Sequence, residues 1–356
     1  PCGHCYWCVV EGERTLCETR RIYGINQRFD SGPRLSGGWA EYIYLQPGSA
    51  IFKLPPGTTP QQAIALGCAG PTAVHGVVEI VGINVGETVV VQGSGPVGLA
   101  AAAHLVARGL TPLVLEASAG VGASLRQWAH VRVFSPWQYN IDPNAAELLA
   151  AAGWDAPEPT ELPTGGEIVS RYLEPLAALP AIAPHLRLGA RVTKITRLGI
   201  DKMTDRARAD APFELRWVDA EGNEHAGLAR AVIDSSGTWS QPNPMGIDGL
   251  PVLGERAAAD RIAYGIPDVL GDARARYAGK TTLVVGSGHS AINAALALLE
   301  LQETAPGTRV LWALRRNRIE RLLGGGLNDQ LPERGALGLA ARRAIDAGRL
   351  QILAPF

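Results

Sequence analysis

Apolar and polar positions change period several times along this chain, and each change predicts an element. The run TVVVQ is almost wholly apolar and ends at glycine, the pattern of a short buried strand. After the turn GSGPVG the apolar spacing becomes helical over residues 96 to 108, and PLVLE supplies a second apolar run. Strand, turn, helix and strand in that order predict an α/β unit. Residues 120 to 185 interrupt the rhythm with a long excursion that carries the aromatic segment QWAHVRVFSPWQYNID. Beyond it RLGARVTKITRL, FELRWVDAEGNEHAGL and RAVIDSSG alternate apolar with polar, and DAEGN is a hairpin turn. A second α/β start follows in KTTLVVGSGHSAINAALALLEL, then the strand RVLWALRR at 309 to 316, and LQILAPF closes the chain on another strand. Residues 1 to 60 are different in kind. Rich in Gly and Pro, with short extended runs such as AEYIYL, they read as a strand-and-loop module, and helical spacing begins only at TPQQAIALGCAGPTAVHGVVEIVGI.

With 356 residues the chain has room for two or three domains. Its 33 basic and 34 acidic residues nearly cancel, and no basic cluster alternates with aromatics, so nothing marks a nucleic-acid partner. A small-molecule substrate is expected instead, and the oligomeric state is not legible. No apolar run approaches the roughly 20 residues of a membrane helix, because His104 and Arg108 interrupt the Ala-rich stretch after Gly98. A cytoplasmic protein with no membrane partner is the expectation. The chain opens inside what reads as a loop, without Met or a signal-peptide pattern, and ends on a strand, so both termini are expected to be incomplete.

The two glycine turns carry the chemistry. In Gly93-Ser94-Gly95-Pro96-Val97-Gly98 the first glycine permits a tight turn, the second lets the backbone approach a pyrophosphate, and the third lets helix and strand pack closely. The helix N-terminus stabilises the negative charge. Glu116, eighteen residues beyond Gly98, supplies a carboxylate for ribose hydroxyls. The second turn, Gly286-Ser287-Gly288-His289-Ser290-Ala291, has alanine as its third small residue. Its second strand ends in Arg315 and Arg316 instead of an acid, and a guanidinium pairs with a 2'-phosphate that a carboxylate would repel. Two dinucleotide sites with opposite preferences imply two cofactors.

Residues 88 to 356 resemble FAD-dependent, NAD(P)H-using flavoproteins of the two-dinucleotide-domain type, the monooxygenases and reductases. The matching pieces are GSGPVGLAAAAHLVARGLTPLVLEAS, VIDSSGTWSQPNP and LVVGSGHSAIN. The resemblance implies FAD on the first site and NADPH on the second, with hydride passing from nicotinamide to flavin where the domains meet. It puts Gly93, Gly95, Gly98 and Glu116 on FAD with Gly237 close by, and Gly286, Gly288, Arg315 and Arg316 on NADPH. Arg126 and Trp128, just past the second strand, are flavin neighbours by position. No catalytic residue is singled out. The segment RIAYGIPDVLGDARARYAGK lacks the His of the monooxygenase fingerprint, and no dithiol pair follows residue 68, so the acceptor beyond the flavin stays open between oxygen and an organic substrate.

All five cysteines lie early, at 2, 5, 8, 17 and 68, which makes them a local site and not a framework spread through the fold. Residues 1 to about 100 resemble zinc-containing medium-chain alcohol dehydrogenases. Cys2, Cys5, Cys8 and Cys17 follow that family's structural-zinc loop, and GGWAEY and GCAGPTAVHG follow its next landmarks. The resemblance implies one structural zinc on those four thiolates, which suit a closed tetrahedral site. Cys68 stands at the place of a catalytic-zinc ligand whose partners are missing. The expected architecture is therefore α/β: a partial, mostly-β GroES-like zinc-loop module at 1–86, an FAD-binding Rossmann-like domain with a β-rich insertion at 87–277, and an NAD(P)-binding one at 278–356. The two parts are read as joined within a shared dinucleotide-binding helix. The expected function is a flavin-dependent oxidoreductase taking hydride from NADPH to FAD and onward, with a zinc-dependent alcohol dehydrogenase using NAD(P) as the alternative.

Overall fold

Each glycine-turn unit opens a parallel sheet. The computed structural model describes residues 4–10, 17, 19, 87–314 and 331–354. The chain divides into two units, residues 1–64 and 65–356. In the smaller unit the described part is a four-residue helix, Tyr6–Val9, with Cys17 and Thr19. The mostly-β module expected at 1–86 otherwise lies outside the described residues.

In the larger unit, β1 (Thr88–Gln92), β2 (Thr111–Leu115), β3 (Leu186–Arg187) and a strand after residue 230, β7 (Ala231–Asp234), form one parallel sheet in the order β3-β2-β1-β7. Helix α1 (Pro96–Ala107) crosses from β1 to β2. It buries Gly98, Leu99, Ala102, Ala103 and Leu105, and small alanines along that stripe let it lie close on the sheet. Because β2 lies on one side of β1 and β7 on the other, strand order reverses at β1. Such a reversal opens a crevice at the strands' carboxyl ends.

The excursion after β2 supplies helices that cover α1. Helix α2 (Pro143–Ala151) starts at Asp142, whose carboxylate caps Ala145 N at 3.1 Å. Helix α3 spans residues 165–178, α-helical at Gly165–Ile168 and Glu174–Ala178 with a π turn at Val169–Leu173 between. Its start is a capping box of Thr164 and Glu167, and the Thr164 amide and hydroxyl hold the Glu167 carboxyl below the usual range. The π turn has one cause in the sequence and one in the packing. Pro175 has no N–H for the carbonyl of Arg171, and that carbonyl accepts instead from Trp154 Nε1 at 2.9 Å. Trp137, Tyr172, Leu173 and Leu176 fill the layer beneath.

The alternating run RLGARVTKITRL is broken near its start, where Arg187 ends β3 and a separate strand begins after Gly189. Gly189 at φ +68° turns the chain, so that β3 joins the parallel sheet and β4 (Arg191–Arg197) leaves it. With β5 (Phe213–Val218) and β6 (Glu224–Ala229), β4 makes an antiparallel meander in the order β4-β5-β6. The expected turn at DAEGN closes the last hairpin. Asp219 accepts from the amides of Glu221 and Asn223 and from His225 Nε2 at 2.7 Å, and His225 first among these draws its carboxyl down to about 2. The meander covers the face of the parallel sheet opposite the helices, through Leu215 and Ala229 packed on Val90 and Leu115.

The second glycine-turn unit runs β8 (Thr281–Val285), α4 (His289–Thr304), β9 (Arg309–Ala313), α5 (Pro332–Asp346) and β10 (Gln351–Leu353). Its strands are parallel in the order β10-β9-β8. Ile292, Leu298 and Leu301 of α4 pack against Val310 and Trp312 of β9. Both expected Rossmann-like arrangements are thus present. Among the described residues no helix is long and apolar enough to cross a membrane.

Candidate dinucleotide sites

At the first turn the three glycines do three different things. Gly93 sits at φ +97°, and a Cβ there would lie 2.8 Å from the carbonyl oxygen of Ser235. Its amide donates to Leu115 O at 2.8 Å, which ties the turn to β2. Gly98 is held tighter still: a Cβ would lie 2.0 Å from Gly93 O and 2.7 Å from Ser235 Oγ. Gly95, by contrast, faces open space, with no atom within 4 Å of where a Cβ would be. It is the N-cap of α1, in extended conformation, followed by Pro96 at the first helical position. A glycine-lined opening at the positive end of a twelve-residue helix suits the diphosphate of a dinucleotide.

Glu116 follows β2 directly and is 8 % exposed. Its Oε2 accepts from the amide and the hydroxyl of Ser94, and its Oε1 from the amide of Ser118. The carboxylate is thereby fixed beside the glycine turn. Ser94 was not among the residues the sequence pattern picked out. Only its place inside the turn, one residue before Gly95, could have pointed to it.

The loop after Glu116 closes over the turn, since Gly122 N donates to Ser94 O at 3.2 Å. Gly122 is left-handed at φ +66° and sits against Val169 and Leu173 of the π turn. Arg126 reaches back to Val121 O at 3.1 Å and pairs with Glu174 at 2.7 Å, both side chains about half exposed. Its guanidinium is therefore already engaged with its own chain. Trp128 stands 6.3 Å from Trp239, whose Nε1 donates to Gln127 Oε1 at 2.8 Å. This contact joins the segment after β2 to the segment after β7, and Gly237, at φ +67° with open space beside it, lies two residues before Trp239. Ser235 Oγ donates to Gln92 O at 2.7 Å and brings that segment against the first turn.

The second turn is more open. Gly286 is at φ +120°, its amide donates to Ala313 O at 3.3 Å, and its carbonyl accepts from Trp312 Nε1 at 2.7 Å. Neither Gly286 nor Gly288 has an atom within 4 Å of a notional Cβ, and residues 285–290 are all exposed. Gly288 caps α4, so the same glycine opening stands at a helix N-terminus a second time. His289 begins the helix, and its ring lies 5.2 Å from that of Phe134 in the aromatic excursion. Arg315 and Arg316 lie outside the described residues.

In the amino-terminal unit, Cys5, Cys8 and Cys17 bring their sulfurs within 4.8 Å of one another. A tetrahedral zinc with bonds of about 2.3 Å holds its thiolates at roughly 3.8 Å, so the cluster fits that ion with little adjustment. Cys8 N donates to Cys5 O at 3.0 Å, which closes the turn that carries both residues, and Cys17 is buried. Cys2 and Cys68 lie outside the described residues.

No protein-family model matches the chain. Over 131 residues it is 36% identical to 5-exo-hydroxycamphor dehydrogenase of Pseudomonas putida, covering 35% of this chain and 35% of that enzyme. Over 211 residues it is 29% identical to an indole-3-pyruvate monooxygenase of Oryza sativa subsp. japonica, covering 59% of this chain and 44% of the relative. Among solved structures it superposes on a bacillithiol disulfide reductase of Bacillus cereus with a TM-score of 0.52 at 18% identity, covering 75% of this chain and 67% of the other. That likeness is one of fold. The chain spans less than half the length of the curated relatives it matches here.

Proposed function

We propose that the chain is the core of an oxidoreductase that binds FAD at the Gly93–Glu116 site and NADPH at the Gly286–Gly288 site. Hydride would pass from NADPH to the flavin and onward to oxygen or a small organic substrate. The observation that carries this reading is the repetition of one device: a glycine opening free of protein atoms at a helix N-terminus, once beside Gly95 and once beside Gly288. Two such openings on one chain ask for two dinucleotides. When bound, the flavin supplies the hydride acceptor. The chain's own residues hold and orient. The α1 N-terminus faces the diphosphate, Glu116 takes the ribose, and Arg315 and Arg316 take the 2'-phosphate of the second dinucleotide. The monooxygenase match over 211 residues supports the same reading.

A division at 87–277 and 278–356 follows from it, and a structural zinc on Cys2, Cys5, Cys8 and Cys17 belongs to the same proposal. The test is the flavin content of purified protein. Wild type should be yellow with a flavin spectrum, and Gly95→Val, which places a branched side chain in the opening, should fold and be colourless. Unchanged flavin in the folded variant refutes the site. The dehydrogenase match over 131 residues favours a second reading, a zinc- and NAD(P)-dependent alcohol dehydrogenase. Colourless protein that forms NADH from primary alcohols would establish that reading instead.

A further inference from the structure

The Glu116 carboxylate carries three hydrogen bonds from its own chain, and their division between its two oxygens bears on what the first site can recognise. Oε2 accepts from Ser94 N at 2.8 Å and Ser94 Oγ at 2.7 Å, while Oε1 accepts from Ser118 N at 2.9 Å. Ser94 is fully buried, so its hydroxyl is held on Oε2 by packing as well as by the bond. A carboxylate offers about four acceptor positions, two on each oxygen. Both positions of Oε2 are taken and one of Oε1. A single acceptor position remains.

A ribose presents two neighbouring hydroxyls, and a carboxylate that reads both needs two free positions. We propose that Ser94 makes the first site read the adenosine ribose of its dinucleotide through one hydroxyl alone. The inference rests on the dinucleotide reading of this site. The deciding atom is the Ser94 hydroxyl. Any residue at position 94 has the amide that donates to Oε2, but alanine there would leave one acceptor on each oxygen, an arrangement fitted to a diol. With serine, the hydroxyl that is not read meets no acceptor on Glu116. The site therefore discriminates sharply at one ribose position and tolerates change at the other.

The experiment uses the full chain stripped of flavin and titrated with FAD and with two analogues, one lacking the 2'-hydroxyl and one the 3'-hydroxyl of the adenosine ribose. Binding is read from the quenching of flavin fluorescence. In wild type one analogue should bind about tenfold more weakly than FAD, the loss of a hydrogen bond to a charged group. The other should stay within about twofold, less than the loss of one hydrogen bond would produce. In Ser94→Ala both analogues should bind more weakly than FAD. Comparable weakening by both analogues in wild type, or by neither, overturns the inference, and that comparison stands even if the variant does not fold. FAD that fails to bind wild type at all overturns the cofactor reading, and this inference with it. FAD that binds while the analogues behave alike overturns this inference only.

Discussion

Replacing Gly98 by alanine tests the turn geometry directly. The new Cβ would lie 2.0 Å from Gly93 O, and real Cβ contacts begin near 3.0 Å. The obstacle is backbone, so no side chain can swing aside. The start of α1 has to retreat by about 1 Å, against a helix whose Leu99, Ala102 and Ala103 are all fully buried. Overpacking of this kind costs about 1–3 kcal/mol, and a backbone obstacle puts it near the upper end. Removing a glycine from the first turn of a helix returns up to about 1 kcal/mol. The net loss is about 2 kcal/mol, which lowers the melting temperature by roughly 3–4 °C in a unit of this size. The assay is thermal unfolding of flavin-free protein followed by circular dichroism, since bound ligand would add its own stabilisation. Gly95→Ala serves as the control, because its Cβ enters open space and the change costs only the poorer N-cap, under about 1 kcal/mol; it should melt within about 2 °C of wild type. A Gly98→Ala protein that melts at or above wild type, or a Gly95→Ala protein that loses as much, refutes the assignment of the two roles.

Tyr172 gives an alkaline test: burial pushes its hydroxyl from 10.0 up to about 12, so its contribution is complete below pH 10 and is lost as pH rises towards 12. Up to about 2–3 kcal/mol is at stake, and in urea titrations Tyr172→Phe should lack the part of the alkaline decline that wild type shows over that window. Replacing Arg315 and Arg316 together with alanine should raise the KM for NADPH by tenfold or more, in line with the loss of about 1.4 kcal/mol or more of charge-assisted pairing, with little change for NADH; equal losses would show that neither reads the 2'-phosphate. Metal analysis should give about one zinc per chain, falling to well under half in Cys8→Ser with flavin content unchanged, whereas two zincs would restore a catalytic-metal reading.

The period changes located the strands and first helix of each glycine-turn unit and the meander, because a buried strand and a helix leave strong, different repeats, whereas α2 and α3 lay inside the stretch read only as an excursion and α5 was not marked at all. The split between β3 and β4 was hidden, since Gly189 interrupts an alternation that otherwise runs straight on. The π turn could not be read either. It arises from Pro175 acting on a carbonyl four residues earlier and from Trp154 approaching from another element, and the second half of that cause is tertiary. At the site, the three glycines were legible because each answers a local steric demand. The parts played by Ser94, Ser235 and Trp239 were not, although the last two lie in the singled-out segment VIDSSGTWSQPNP. They matter through contacts with Glu116, Gly93 and Gln127 that bring together distant parts of the chain.

The first glycine turn alone cannot tell one dinucleotide enzyme from another, since a tight turn, an opening and a close approach are what any diphosphate cradle needs. What surrounds it is more specific. A parallel sheet must be covered on both faces, and in the plain doubly wound fold both covers are helices. Among the described residues helices lie on one face only, and the β4-β5-β6 meander covers the other, with Leu215 wholly buried against Val90 and Leu115. The chain leaves the meander straight into β7, where Arg230 N donates to Thr88 O at 2.9 Å, and so comes to rest beside β1. Only then does Ser235 arrive at the turn, donating to Gly93 O at 3.3 Å from 142 residues downstream. The wall that makes glycine necessary at 93 is thus built by the far side of the insertion. Whatever the origin of the amino-terminal third, this turn has its present shape because of the body that follows it, and its ligand is to be sought in that body's chemistry.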